Sequence, residues 1–73
     1  MRYYTFAYIG DNDLIEYETV SEVDILDHYT DYITKAWVQH FKKEPTKQDI
    51  LNEWILVRWA WATDKDGNYI PTA

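Results

Sequence analysis

Four ionisable side chains in the first half of the chain share one face of a predicted helix. Asp24, Asp27, His28 and Asp31 are separated by intervals of three and four residues, which places them side by side on a helix surface. The carboxylates of such a stripe recur every ~5–6 Å, so they could occupy a basic groove that binds the phosphates of a nucleic acid. The same stripe could also be a solvated face, because acids are favoured near a helix N-terminus.

The acidic residues are concentrated in the first half of the chain. The net charge is −6, and the segment from Tyr3 to Thr34 contains eight acids and no lysine or arginine. Such a segment repels nucleic acid and anionic membranes and attracts a basic protein surface. We therefore predict a protein partner with a basic surface, and neither direct nucleic-acid binding nor membrane binding. The predicted partner-binding residues are Glu16, Glu18, Asp24, Asp27 and Asp31.

Metal binding has little support in the sequence. His28 has ligand spacing to two carboxylates of the stripe, but a metal site needs three or four convergent ligands, and His40 lies about three helical turns away. The segment from Asp64 to Asn68 is similar to a calcium loop, yet placing Gly67 at the sixth position puts alanines at the first and twelfth. We predict no metal and no other cofactor.

Catalytic groups are equally sparse. The chain has no cysteine, and its single serine, Ser21, stands at a predicted helix N-cap. With only two glycines, Gly10 and Gly67, the sequence offers no glycine-rich phosphate loop. Its carboxylates fall on predicted exposed faces. We therefore predict that the protein is not an enzyme.

Two alternating segments at the start of the chain predict a β-hairpin. The first, from Arg2 to Ile9, has apolar side chains on both faces, which indicates a central strand or one that is covered on both sides. Gly10 to Asp13 has the composition of a turn. From Leu14 to Val20 an apolar set alternates with the two glutamates, which predicts a half-buried strand paired antiparallel with the first. The apolar set is Ile15, Tyr17 and Thr19.

Helical periodicity begins after the predicted N-cap at Ser21 and extends from Glu22 to about Lys42. Pro45 ends this helix, and Thr46 predicts the N-cap of a short second helix from Lys47 to about Glu53. The apolar positions of the long helix predict one buried face. That face is Leu26, Tyr29, Ile33, Ala36, Trp37 and His40.

The segment from Trp54 to Ala62 holds three of the four tryptophans. As a helix it would be apolar on almost every side, which a domain of this size could hardly bury. As a strand it places large residues on one face and smaller or polar residues on the other, so we predict a core strand. Arg58 could pack on an aromatic ring or anchor an interface. A turn from Thr63 to Asn68 and an edge strand at Tyr69-Ile70 complete the chain.

Together these elements predict a single α+β domain over residues 1–73. It has a small antiparallel sheet, the order β-β-α-α-β-β, and one long and one short helix packed on one face. A chain of 73 residues buries only roughly 60–65% of its unfolded surface. Its 13 aromatic residues compensate for this, unless a partner supplies part of the core. Self-association through the Trp-rich segment is therefore an alternative function, and both monomer and homodimer remain open.

Two segments resemble parts of small accessory proteins encoded by bacteriophages. In Asn52 to Trp61 an acidic residue and a tryptophan precede an apolar run that ends in Trp-Ala-Trp, and Ser21 to Leu26 is similar as well. The resemblance brings no activity with it. It implies a phage accessory gene expressed in a bacterial host, a setting in which small acidic inhibitors of host proteins occur.

No apolar run approaches the ~18–20 residues of a membrane helix, and the start of the chain lacks the apolar segment of a signal peptide. We therefore expect a cytoplasmic protein. Its predicted function is to inhibit or modulate a host defence or nucleic-acid-binding protein, with acidic residues that mimic nucleic acid. A metal protein or an enzyme is the least favoured hypothesis.

Overall fold

Three strands and two helices form a two-layer fold, with both helices on one side of the sheet. The computed structural model describes residues 1–71. The strands form one antiparallel sheet in the order β2-β1-β3. The predicted α+β class, the small antiparallel sheet and the two helices of unequal length are thus confirmed. The elements are β1 Tyr3–Ile9, β2 Ile15–Ser21, α1 Glu22–Phe41, α2 Lys47–Arg58 and β3 Trp61–Thr63.

Strand β1 is central, as its two partly apolar faces predicted. It pairs with β2 along its whole length, but only Tyr3, Tyr4 and Thr5 pair with β3. Residues directly opposite each other in antiparallel strands point to the same side of the sheet. We call the side that packs against the helices the inner face. It carries Tyr4, Phe6, Tyr8, Glu16, Glu18 and Val20.

Strand β2 is less buried than the predicted half-buried strand. Its residues from Ile15 to Glu18 are all exposed, and only the end at Val20 and Ser21 approaches the core. The reason is geometric: α1 begins at Glu22, directly after the strand, so the helix layer covers that end and leaves the hairpin tip uncovered. The apolar set of β2 therefore lies on the outer face and the two glutamates lie on the inner face.

Helix α1 begins as predicted. The Ser21 hydroxyl oxygen accepts a hydrogen bond from the Asp24 N–H at 3.1 Å, which satisfies one of the free donors of the first turn. The helix ends at Lys42, whose φ of 61° lies in the left-handed region and whose N–H donates to the Val38 carbonyl. The predicted bounds of this helix are confirmed.

The predicted core strand from Trp54 to Ala62 is wrong, because α2 continues to Arg58. A complete capping box starts this helix: the Thr46 side chain accepts from the Asp49 N–H, and the Asp49 carboxylate accepts from the Thr46 N–H. The inward side chains recur with helical spacing, a period that the strand alternation concealed. They are Ile50, Leu51, Trp54, Ile55 and Arg58.

The helix in this segment is apolar on almost every side, as expected, but this does not prevent it from forming. Leu56 and Val57 are apolar and remain exposed, by 68% and 67%. The chain leaves these side chains in solvent instead of avoiding the helix. The strand part of the Trp-rich segment is limited to Trp61–Thr63.

The turn after β3 forms as predicted, but the expected edge strand at Tyr69-Ile70 is reduced to a single bridge between Thr63 and Tyr69. The Asp64 Oδ1 accepts hydrogen bonds from the N–H groups of Asp66 and Asn68, both at 2.9 Å. Gly67 has a φ of 85°, and a β-carbon there would approach the Thr19 hydroxyl to 3.1 Å. The turn is therefore folded back over the outer face of the sheet.

The buried core is small and lies between the inner face and the helices. Its centre is Trp54, which is 1% exposed. The predicted buried face of α1 is only partly correct, because Ala36 and His40 are exposed and Ile25, which was not predicted, is buried. The buried apolar residues are Tyr4, Ile25, Ile33, Ile50, Leu51 and Trp54.

The accessible surface of the molecule is larger than that of a typical monomer of the same mass. Its accessible surface is 5857 Å², about 1,100 Å² more than the scaling law gives for a monomer of this size. Its Cα radius of gyration is 13.6 Å, against about 11 Å for a typical compact domain of the same length. The shape is a plate with extents of 38 × 34 × 20 Å. Two layers without a third covering layer account for this excess surface.

Candidate partner-binding surface

Strand β2 and helix α1 bring two of the predicted acids to one cavity. Glu18 lies on the inner face of β2 and Asp24 lies in the first turn of α1, and both line a cavity of about 280 Å³. No lysine or arginine lines this cavity, so its two carboxylates face no cation across it. The other lining residues are Phe6, Val20, Ile25, His28, Tyr29 and Trp54.

The remaining predicted acids extend this region in two directions. Glu16 is the next inner-face residue toward the hairpin turn, and Asp27 and Asp31 follow along α1 at helical intervals. All are exposed. Within residues 1–71 no basic side chain lies within the 4.0 Å of an ion pair from a carboxylate. We call Glu16, Glu18, Asp24, Asp27 and Asp31 the acidic surface.

Tyr8 reports the negative potential at the hairpin end of the acidic surface. It lies directly opposite Glu16 on the inner face. The Glu16 carboxylate raises the pKa of the Tyr8 phenol above its ordinary value of 10.0, and desolvation, a hydrogen bond to Glu16, and the charges of Glu18 and Asp11 act in the same direction. A phenolate is disfavoured there because it would add a negative charge beside other negative charges.

A larger groove lies between α1 and α2, next to the cavity. Its volume is about 850 Å³, and it shares His28, Tyr29 and Trp54 with the cavity. We call this space the interhelical groove. Its size and largely apolar walls are those of a binding site. The rest of its lining is Tyr32, Ile33, Ala36, Trp37, His40, Phe41, Glu53, Val57 and Arg58.

Arg58 lies in the floor of this groove, among aromatic rings. Its guanidinium carbon is 4.5 Å from the Tyr29 ring centroid, 5.0 Å from that of Trp54 and 5.9 Å from that of Phe6. Cation–π attraction favours these distances. Of the two roles open to Arg58 from sequence, packing on an aromatic ring is therefore the one the structure contains.

Two indole N–H groups beside the groove have no partner among the described residues. Trp37 and Trp54 both line the groove, and the Nε1 of each is buried without a hydrogen-bond acceptor. Burying such a donor unpaired costs about 1–3 kcal/mol. The two tryptophan rings therefore line the groove, while their N–H groups stay buried and unpaired.

Sequence reasoning found the acids but missed the groove. The sequence predicts Tyr29 and Trp37 of α1 in the core, because their spacing matches a buried helix face. Helix α1 has 20 residues and α2 has 12, so α2 is too short to cover the whole apolar stripe of α1. This difference in helix length was the available signal.

Comparisons with known proteins do not add to these observations. No protein-family model matches the chain, and no curated protein or solved structure matches it significantly. Neither helix of the described part of the chain is long and apolar enough to cross a membrane.

Proposed function

We propose that the protein is a small binding module that captures a basic, amphipathic segment of a partner protein. The acidic surface binds the cationic side chains of the segment, and the interhelical groove accepts its apolar side chains. The partner thereby loses the use of its basic surface.

The observation that carries this proposal is that acidic side chains lie next to the groove. Glu18 and Asp24 line a cavity that shares His28, Tyr29 and Trp54 with the interhelical groove. An amphipathic helix presents apolar and charged side chains side by side, and it binds by laying its apolar face in such a groove. Helix α1 spans 20 residues, or about 30 Å, which is long enough to align with several turns of a bound helix.

Charge favours a basic segment over an acidic one. The chain carries a net charge of −6, and the five residues of the acidic surface have no ion-pair partner within residues 1–71. Complementary potentials of this kind accelerate encounter more than they tighten the final complex. The apolar groove then supplies the contacts that slow dissociation.

Among proteins that have a basic, amphipathic segment, we propose a nucleic-acid-binding or defence protein of a bacterial host as the partner. Such proteins present exposed basic helices to phosphates, and carboxylates on a helix recur every ~5–6 Å, which allows them to take the place of phosphates. The resemblance to phage accessory proteins supports a host protein as the target and the host cytoplasm as the place.

The acidic half of the proposal is tested by charge reversal with a matched control. The variant D24K/D27K reverses two acids of the acidic surface that lie on α1, and E44K/D66K reverses two exposed acids elsewhere with the same change in net charge. We expect proteins captured by the immobilised wild type from bacterial lysate to be lost with the first variant and kept with the second. Equal capture by both variants, or no capture by the wild type, contradicts the proposal.

The groove half is tested at two neighbouring residues of equal exposure. Val57 lines the groove and Leu56 does not, although they are 67% and 68% exposed. Against a captured partner, V57K should weaken binding by at least about tenfold, because it places a charge in an apolar contact, and L56K should not. If both substitutions have the same effect, the groove is not the contact.

A further inference from the structure

The outer face of the sheet has an unusual composition for an acidic protein. Every strand residue that the register places on this face is uncharged, although 27% of the chain is charged. The uncharged outer face and the acidic surface therefore lie on opposite sides of the sheet. Its residues are Tyr3, Thr5, Ala7, Ile9, Ile15, Tyr17, Thr19, Ser21, Trp61 and Thr63.

At the hairpin end, the two faces are inverted relative to the usual pattern. Antiparallel strands normally turn apolar residues toward the covering layer and charged residues toward water. Here Glu16 and Glu18 share the side of the helices, whereas Ile9, Ile15 and Tyr17 point away and are 73%, 66% and 65% exposed. Register is set by burial, so this inversion indicates that the outer face is the one that becomes covered.

The chain covers only one end of this face by itself. The turn after β3 lies over Thr5 and Thr63, which are 3% and 2% exposed. Beyond it, the Tyr17 and Trp61 rings meet edge to face at 6.1 Å; Tyr17 lies opposite Ala7 of the central strand and Trp61 lies opposite Thr5. No described element lies over the part from Ala7 to Ile9 and Ile15 to Tyr17.

We propose that a second copy of this chain covers the outer face, with the hairpin ends of two sheets packed face to face. A partner with a basic surface would be drawn to the acidic surface, whereas two chains of charge −6 can approach only where they place no like charges in contact. The uncharged outer face meets that condition. A two-fold axis would pair the same patch on both chains.

The size of the patch sets the strength of this dimer. Three strands of seven residues or fewer present roughly 300–500 Å² per chain, less than the ~800 Å² per partner of a standard stable interface. We therefore expect a weak dimer that is populated only at high protein concentration. It does not depend on the proposed partner, because the acidic surface and the groove lie on the opposite side of the sheet.

Sedimentation equilibrium of the full chain between about 5 µM and 1 mM tests the dimer. We expect the wild-type mass to rise toward that of two chains, and Y17K or I15K to weaken dimerisation by at least about tenfold by placing a charge in the contact. E16Q is the matched control: it changes the net charge by one unit, as Y17K does, but on the inner face of the same strand. It should dimerise at least as well as the wild type.

A wild type that remains monomeric at 1 mM overturns the proposal, and so does a dimer that survives both Y17K and I15K in folded form. Far-ultraviolet circular dichroism establishes folding of each variant. If neither variant folds, amide chemical shifts of the wild type on dilution decide the question. Shifts confined to the outer face, at Ile9, Ile15, Tyr17 and Trp61, support the dimer, and shifts located elsewhere or absent overturn it.

Discussion

Trp54 is the residue at which the two layers meet. Its ring lies edge to face with Phe6 at 5.6 Å and with Tyr4 at 6.4 Å, and tilted to Tyr29 at 6.3 Å. Edge-to-face pairs add about 0.5–1.5 kcal/mol each beyond their buried area. In a core of few residues and no disulfide, one aromatic side chain thus connects the central strand with both helices.

A three-hydroxyl chain at the covered end of the outer face shows how a buried polar group is satisfied. Thr63 donates to the Asp64 carbonyl, so its oxygen must accept from Thr5. Thr5 has then used its only proton, and therefore accepts from Thr19. The three hydroxyls link the three strands, and only one assignment of donors and acceptors satisfies all of these hydrogen bonds.

Tyr8 gives a direct measurement of the acidic surface at the residue scale. Its phenol pKa should be above the ordinary 10.0 because of the Glu16 carboxylate, and E16Q should lower it toward that value. The pKa is measured by NMR titration of the Tyr8 ring. E44Q removes an exposed carboxylate that does not act on Tyr8, so it serves as the control and should leave the Tyr8 pKa unchanged. A Tyr8 pKa that does not respond to E16Q contradicts the assigned cause.

The end of α2 is strained by its own sequence. Trp59 occupies the left-handed region with a φ of 54°, and its N–H caps the helix by donating to the carbonyls of Ile55 and Leu56. Glycine is the usual residue at this position, because a β-carbon costs energy there. The Trp59 side chain recovers little by packing, since it is 86% exposed.

We therefore predict that W59G stabilises the protein by about 1 kcal/mol, and that W59A does not. Both variants lose the same exposed ring, but only glycine relieves the left-handed strain. Urea unfolding followed by circular dichroism provides the free energies. Equal stabilities of W59G and W59A would show that the strain is negligible.

The turn after β3 carries an acid-sensitive contact. Backbone N–H groups, that of Asn68 first, hold the pKa of Asp64 below its ordinary value of 3.8. Because the unfolded chain binds the proton more readily, the stabilisation is complete above pH 3.8 and is lost as pH falls through the folded pKa.

D64N isolates this contribution, since asparagine keeps an oxygen that accepts the same hydrogen bonds but does not titrate. The stability difference between wild type and D64N should therefore shift in favour of D64N as the pH falls from 5 to 2. D64A, which loses the acceptor at every pH, should be less stable than D64N throughout. Urea unfolding at each pH gives the free energies of unfolding. If the difference between wild type and D64N does not depend on pH, Asp64 is not the source of the acid sensitivity.

At the scale of the whole molecule, charge opposes the folded state. The net charge of −6 is held on a small plate, and in the described chain no ion pair lies within 4.0 Å to offset it. Salt screens repulsion over about 10 Å at 0.1 M. Stability should therefore rise with ionic strength, whereas a protein held by ion pairs would lose stability.

Urea unfolding in about 20 mM and about 500 mM sodium chloride tests this expectation. The wild type should be more stable at high salt, and the variant E16Q/D27N/D31N should gain less from salt because three of its repelling charges are absent. A fall in wild-type stability with salt would show that attractive pairs dominate.

Local signals in the sequence were sufficient for α1, the hairpin and both helix N-caps. Each depends on residues within a few positions of one another, as at Ser21 and Thr46, where a side chain caps the helix that follows. The α+β class followed from the order of these elements, and the acids of the candidate surface were visible as a charge pattern. These features were predictable because local chemistry determines them.

Tertiary structure decided which residues are covered. Alternation in β2 and in the Trp-rich segment shows that two faces differ, but it does not show which face meets another layer. That depends on where α1 and α2 end, so Glu18 and Asp24 share a cavity, Val57 lines a groove, and Tyr17 lies in water. The sequence by itself determined the helices, the hairpin and the distribution of charge. Only the packing of the helices on the sheet placed the acids beside an apolar groove on one side and left an uncharged face on the other. The sequence alone could not decide this, because burial depends on contacts between distant segments.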